Sequence, residues 1–190
     1  MKRRALAALV AATLVATLAA APVLRAQEGD ARVLEVEGEP RIEYRLRTHP
    51  ADAHVLTPAA TLTPDTALNA AKLLNLHLST GDLEEAAVLS TSPKRRFEVL
   101  QDYRQSVGAE EFKRVFARYF DPANRLLAEV AIDRHRLLIW ELRGAAGAPS
   151  HLAGQYFIEV EGKYLLNDVP SPTRSQLRHV LEAYRSGKLP

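Results

Sequence analysis

Apolar residues in this chain change their spacing three times, and each change predicts a change of secondary structure. Leu34, Val36, Ile42, Tyr44 and Leu46 alternate with charged residues around Gly38-Glu39-Pro40, which predicts a two-stranded hairpin over 33–47 with one apolar face. Thr48 to Leu62, with Pro50 and Pro58, reads as a connector. The spacing then becomes helical. Thr63-Pro64-Asp65 supplies an N-cap oxygen, a proline at the first helical position and an acid for the dipole, and Gly81 can take the left-handed conformation that ends a helix at Thr80. Asp82-Leu83-Glu84-Glu85 offers a capping box for a short second helix to about Ser90. Ser92-Pro93 opens a third, with Phe97, Leu100 and Val107 along one side and Gly108 as its stop. From Ala109 to Phe120, Phe112, Val115, Phe116 and Tyr119 form a fourth helical stripe, halted by Asp121-Pro122. Aromatic residues at this spacing supply burial, so the stripe reads as core.

Alternation returns at Leu126. Leu126, Ala128, Val130 and Ile132 share one phase with Glu129 between them, Asp133-Arg134-His135-Arg136 reads as a turn, and Leu138, Trp140 and Leu142 continue in a second strand. Gly144 to Pro149 is a loop, Tyr156, Ile158 and Val160 lie on one face of a third strand, and Glu161-Gly162-Lys163 turns into a fourth, Tyr164 to Val169. Connections this short favour antiparallel pairing. Ser171-Pro172 opens a last helix with an apolar stripe of Leu177, Val180, Leu181 and Tyr184, while Arg174, Arg178, Arg185 and Lys188 take its solvated side. The expected class is α+β: N-terminal helices packed on a curved antiparallel sheet, plus a C-terminal helix.

Residues 1–26 change the compartment. Lys2, Arg3 and Arg4 precede an Ala/Leu/Val/Thr stretch that closes on Leu24-Arg25-Ala26, the pattern of a cleaved signal peptide rather than a spanning anchor. The expected organisation is a leader over 1–26, a hairpin and linker over 27–62, and an α+β domain over 63–190, in a periplasmic or secreted protein with no stable membrane anchor after cleavage. Four basic residues leave with the leader, so 21 of the 25 basic groups face 23 acidic ones, a formal charge of −2. That balance removes the electrostatic footprint of nucleic-acid binding. The absence of cysteine excludes disulfides, thiol catalysis and thiolate zinc. Signatures of serine hydrolases, nucleotide sites and zinc proteases are also absent, and no cofactor is expected.

With Pro64 to Thr80 as a long first helix, Gly81-Asp82-Leu83-Glu84-Glu85-Ala86-Ala87 starting its companion and Gln155 to Asp168 as a closing hairpin, the stretch 63–169 resembles the nuclear transport factor 2-like superfamily. The resemblance implies a cone-like fold with a pocket between helix and sheet, used by some members for isomerisation or dehydration and by others for binding or assembly. The helices from Pro93 to Phe120, the 33–47 hairpin and the terminal helix exceed the family's simplest pattern. No catalytic motif of the family matches here, so its chemistry does not transfer.

Candidate pocket residues are His77, between Leu76 and Leu78 on the first helix, the aromatics Tyr119, Trp140, Tyr156 and Tyr164, and Asp168 beside Asn167 at a strand end. Core packing competes for each aromatic. Asp133 and His135 are too few to complete a metal site, and His49, His54, His151 and His179 form no ligand spacing, so no metal is expected. The sequence thus points to an exported, non-enzymatic envelope protein that binds a small apolar ligand, or that pairs through its sheet as a homodimer or with an envelope partner. The alternative is a cone enzyme transferring a proton on a small hydrophobic substrate, with Asp168 or His77 as base.

Overall fold

The computed structural model describes residues 29–38, 40–56, 62–144 and 148–189. The expected leader, the middle of the Thr48–Leu62 connector and part of the Gly144–Pro149 loop lie outside these residues.

The alternating segments form one six-stranded antiparallel sheet in sequential order: β1 (Asp30–Leu34), β2 (Ile42–Arg47), β3 (Arg125–Ile132), β4 (His135–Leu142), β5 (His151–Val160) and β6 (Lys163–Leu166). The helical segments become α1 (Ala67–Thr80), α2 (Leu83–Val88), α3 (Pro93–Val107), α4 (Ala109–Ala117) with a 3-10 turn at Arg118–Phe120, and α5 (Pro172–Arg185). The class is therefore α+β.

Strand side chains alternate between two faces, and each face has its own cover. On one side Leu34, Ile42, Tyr44, Val130, Leu137 and Ile139 pack against Leu177, Val180 and Leu181 of α5. On the other, Leu138, Trp140, Leu142, Phe157 and Tyr164 pack against Ala67, Ala70 and Ala71 of α1, whose small side chains let the helix lie close to the sheet. A third cluster joins the helices to one another through Leu74, Leu78, Leu83, Leu89, Leu100 and Phe112. Burying a side chain such as Leu or Phe contributes about 1.5–3 kcal/mol, so these three clusters hold the layers together.

Four details depart from the sequence expectations. The first helix is capped by Thr66, whose Oγ1 accepts from Asn69 N at 3.1 Å, rather than by Thr63, because the Pro64 carbonyl is used by β6 and accepts from Tyr164 N at 2.6 Å. Asp82 precedes α2 without capping it, its carboxylate accepting instead from Thr80 Oγ1 at 2.6 Å. The turn between β3 and β4 is only Asp133-Arg134, with Asp133 at a left-handed φ of 50°, so His135 and Arg136 belong to β4. Leu126 does not share a face with Val130: Leu126 pairs with Trp140 but Ala128 pairs with Ile139, so Leu127 is an extra residue and the strand changes phase there. The 33–47 hairpin, for its part, is the edge of the main sheet, since Arg45, Leu46 and Arg47 pair with Ala131, Val130 and Glu129.

Candidate functional site

β6 covers only part of its neighbour. Its residues pair with Phe157 to Val160 of β5, and the segment after α2 covers β6 in turn: Leu166 N donates to Leu89 O at 2.7 Å and Thr91 N to Leu166 O at 3.0 Å. Asn167 N donating to Tyr156 O at 2.7 Å closes this pairing, and from His151 to Gln155 no strand among the described residues lies along that edge of β5. In an antiparallel strand every second residue points its N–H and C=O the same way. Leu152 O accepts from Arg185 Nη2 at 2.8 Å and Tyr156 O from Asn167, so Gly154, between them, aims its backbone groups at the same open edge. Gly154 also leaves room for α5, because a Cβ there would stand 2.7 Å from Leu181 Cδ2.

A cavity of about 270 Å3 fills this edge, bounded by α1, α3, α4 and the start of α5. Its apolar wall is Leu74, Leu78, Leu100, Phe116 and Leu166. The polar wall is incompletely satisfied. Asn75 is 1% exposed, and its Oδ1 accepts from Gln155 Nε2 at 3.3 Å, but Asn75 Nδ2 and Gln155 Oε1 have no partner. A donor or acceptor left unpaired in the interior costs about 1–3 kcal/mol.

Two arginines line the cavity, Arg96 from α3 and Arg174 from α5. Arg96, on the first turn of α3, meets Asp168: Asp168 Oδ2 accepts from Arg96 Nε at 2.9 Å and from Ser90 Oγ at 2.7 Å, and Oδ1 pairs with the same guanidinium. Asp168 N donates to Thr91 Oγ1 at 3.1 Å, so this carboxylate ties the end of β6 to the α2–α3 link. Burial, then the charges of Arg174 and Arg95, hold the Arg96 pKa below its ordinary value. Arg174 is positioned by the cap of α5, where Ser171 Oγ accepts its N–H at 3.1 Å, and its guanidinium lies 5.3 Å from the centre of the Tyr156 ring. It has no carboxylate partner among the described residues. Tyr156 titrates above its ordinary value, mainly through burial, with Arg174 opposing.

Of the six residues singled out from the sequence, Tyr156 and Asp168 line this cavity. Trp140 and Tyr119 form an edge-to-face pair at 5.2 Å within the core on the α1 side. Tyr164, also there, has Arg136 over its ring at 5.6 Å and its hydroxyl donating to Glu159 Oε2 at 3.3 Å. Its pKa, like that of Tyr119, is raised by burial. His77 sits in the last turn of α1, its Nδ1 4.0 Å from Asp82 Oδ2. Tyr156 is separated from Trp140 and Tyr164 by strand parity, since it pairs with Leu137 on the α5 side.

A second polar centre lies on the α1 side of the sheet. Glu129, 7% exposed, accepts from Arg47 Nη2 at 2.7 Å and His49 Nε2 at 3.0 Å through Oε2, while Oε1 is 3.4 Å from Arg136 Nε. Burial alone would raise its pKa, but the His49 and Arg47 hydrogen bonds and charges outweigh burial and hold it low. Farther along the connector, His54 is buried edge-on to Trp140 and donates to Asp121 O at 3.0 Å, and Lys72 Nζ donates to Val55 O at 3.1 Å. The connector is thereby strapped to the sheet. Sequence spacing missed this use of His49 and His54. The available signal was Glu129 itself, an acid within a run of apolar residues, which demands partners once both faces are covered.

His135 is buried on the α5 side, its pKa lowered chiefly by burial, and Asp133 is exposed at the turn. Among the described residues no group of three or more acidic or histidine side chains could hold a metal ion, and no helix is long and apolar enough to cross a membrane. Comparison of the chain with protein-family models, curated proteins and solved structures returns no match.

Proposed function

We propose that this chain is an exported, non-enzymatic binding protein whose cavity at the open edge of β5 holds a small, largely apolar molecule. One observation carries the reading: a buried donor, Asn75 Nδ2, and a buried acceptor, Gln155 Oε1, stand unpaired beside a cavity whose apolar wall is Leu74, Leu78, Leu100, Phe116 and Leu166. Buried polar groups are nearly always paired, and a bound molecule would pair these once the two amides turn towards the cavity. The volume, about 270 Å3, lies just under the roughly 300–1,000 Å3 of drug-sized sites and suits a small ligand. Export is supported by the basic and apolar leader. The nuclear transport factor 2-like resemblance belongs to the same proposal, because that family's pocket lies between helix and sheet. A proton-transferring enzyme would need a free base in the cavity, whereas both oxygens of Asp168 are engaged by Arg96 and Ser90.

Native mass spectrometry of the protein, expressed with its leader and purified from the periplasm, tests both parts. The expected result is loss of residues 1–26 and a small molecule retained on the folded chain but lost on denaturation. An uncleaved leader overturns export. A ligand-free dimer moves the reading to assembly, for which β1, the outer strand with Val33 54% exposed, is the available edge.

A further inference from the structure

We infer that the molecule held in this cavity is a monocarboxylic acid with an apolar tail, its carboxylate anchored by Arg174. The inference rests on the binding reading above and adds the chemical class. It starts from charge. Asp168 lies against Arg96 and neutralises it, which leaves Arg174 as the uncompensated charge on the cavity wall among the described residues. The two guanidiniums also repel, since the field of Arg174 disfavours the charged form of Arg96. A single anion at Arg174 relieves that repulsion and completes the neutralisation.

Geometry favours a carboxylate in that place. Arg174 stands at the start of α5, its backbone N–H capped by Ser171 and its guanidinium 5.3 Å from the centre of the Tyr156 ring, and its planar fork suits a two-pronged contact with a planar anion. Arg174 and Tyr156 also line a second cavity, of about 320 Å3, with Ser171, Ser175 and Arg178, so the pair forms the boundary between the two spaces. The charged end thus sits at a boundary with a second arginine, and the tail lies against Leu74, Leu78, Leu100 and Phe116.

Calorimetric titration with octanoate and with its neutral counterpart 1-octanol tests this. Octanoate is expected to bind the wild-type protein at least about tenfold more tightly than 1-octanol, the ratio of one charge-assisted hydrogen bond. Arg174→Gln is expected to erase that ratio and leave 1-octanol binding unchanged, while Lys188→Gln, a charge change at the far end of the same segment, leaves both. Circular dichroism confirms that each variant is folded. Equal binding of the two probes, or octanoate affinity that survives Arg174→Gln, overturns the carboxylate inference while keeping the pocket. Binding of neither probe overturns it too, and a native spectrum without a retained molecule then removes the binding reading as well.

Discussion

Glu129 and the Asn75–Gln155 pair are both polar groups inside a small fold, yet their surroundings are opposite. Glu129 has three cationic or potentially cationic side chains, Arg47, His49 and Arg136, on its two oxygens. Asn75 and Gln155 have each other through one 3.3 Å hydrogen bond and then one unpaired atom apiece. The interior tolerates a polar group only when its hydrogen bonds are made, so the saturated centre is part of the fold's own fastening, while the unsaturated one is what the proposed binding reading assigns to a ligand. Depth of burial does not distinguish them. Completeness of pairing does.

The largest effect is expected at the saturated centre. Glu129→Ala leaves Arg47, Arg136 and His49 crowded with no carboxylate, and breaking a buried ion pair by removing one partner costs about 3–5 kcal/mol. Guanidinium denaturation reads this directly, and a loss below about 1 kcal/mol would place Glu129 among ordinary surface charges. Acid titration of stability gives the same test in the wild type. Because the carboxyl of Glu129 is held below its ordinary 4.5 in the folded protein, the unfolded chain binds its proton first. Its contribution is complete above that ordinary value and is lost as pH falls through the folded one. The wild-type urea midpoint should therefore drop more steeply below pH 4.5 than that of Glu129→Ala; parallel curves would assign the acid limb to other carboxylates.

Asp168 stands between the two cases, being both a fastener and a wall of the cavity. Asp168→Asn keeps the shape but takes the charge from Arg96 and Ser90, at an expected cost of about 1–2 kcal/mol in denaturant titration. It also frees Arg96 to attract an anion, so octanoate affinity should rise a few-fold as the fold weakens. A parallel loss of affinity and stability would instead give Asp168 a direct role in holding the ligand.

How far these two centres could be read from sequence follows from what each depends on. Local chemistry was legible: Gly81, Ser92-Pro93, Gly108 and Ser171-Pro172 bound their helices where punctuation predicts, because caps and stops act over three or four residues. Position across the sheet was not. Leu127 inserts one residue into β3 and switches the faces around it, and Tyr156 parts from Trp140 and Tyr164 because register puts it over α5. The Glu129 centre joins residues some eighty positions apart, and alternation alone sets Glu129 opposite Val130 without showing that Arg47 and His49 meet it there. The cavity arises from a difference of strand lengths, β5 outrunning β6, which appears in no motif. Asp168 and Tyr156 were visible as candidates by residue type; Asn75, Gln155 and Arg174 were hidden because a helix interior, a strand and a solvated helix face are ordinary places for them.

The smallest effect on stability belongs to the unsaturated pair, and it separates the centres most cleanly. Replacing both partners of a hydrogen bond by apolar groups of like size is nearly neutral when the pair is already under-satisfied. Asn75→Leu with Gln155→Leu should therefore stay within about 1 kcal/mol of wild type, with the gain from burying no unpaired atom offset by packing strain. The same change removes both amides from the cavity wall, so octanoate affinity should fall while the denaturation midpoint holds. A fall comparable to that of Glu129→Ala would mean that the 3.3 Å bond between α1 and β5 is itself a fastener. The contrast between a centre that serves the fold and one that serves a ligand would then collapse into a difference of degree.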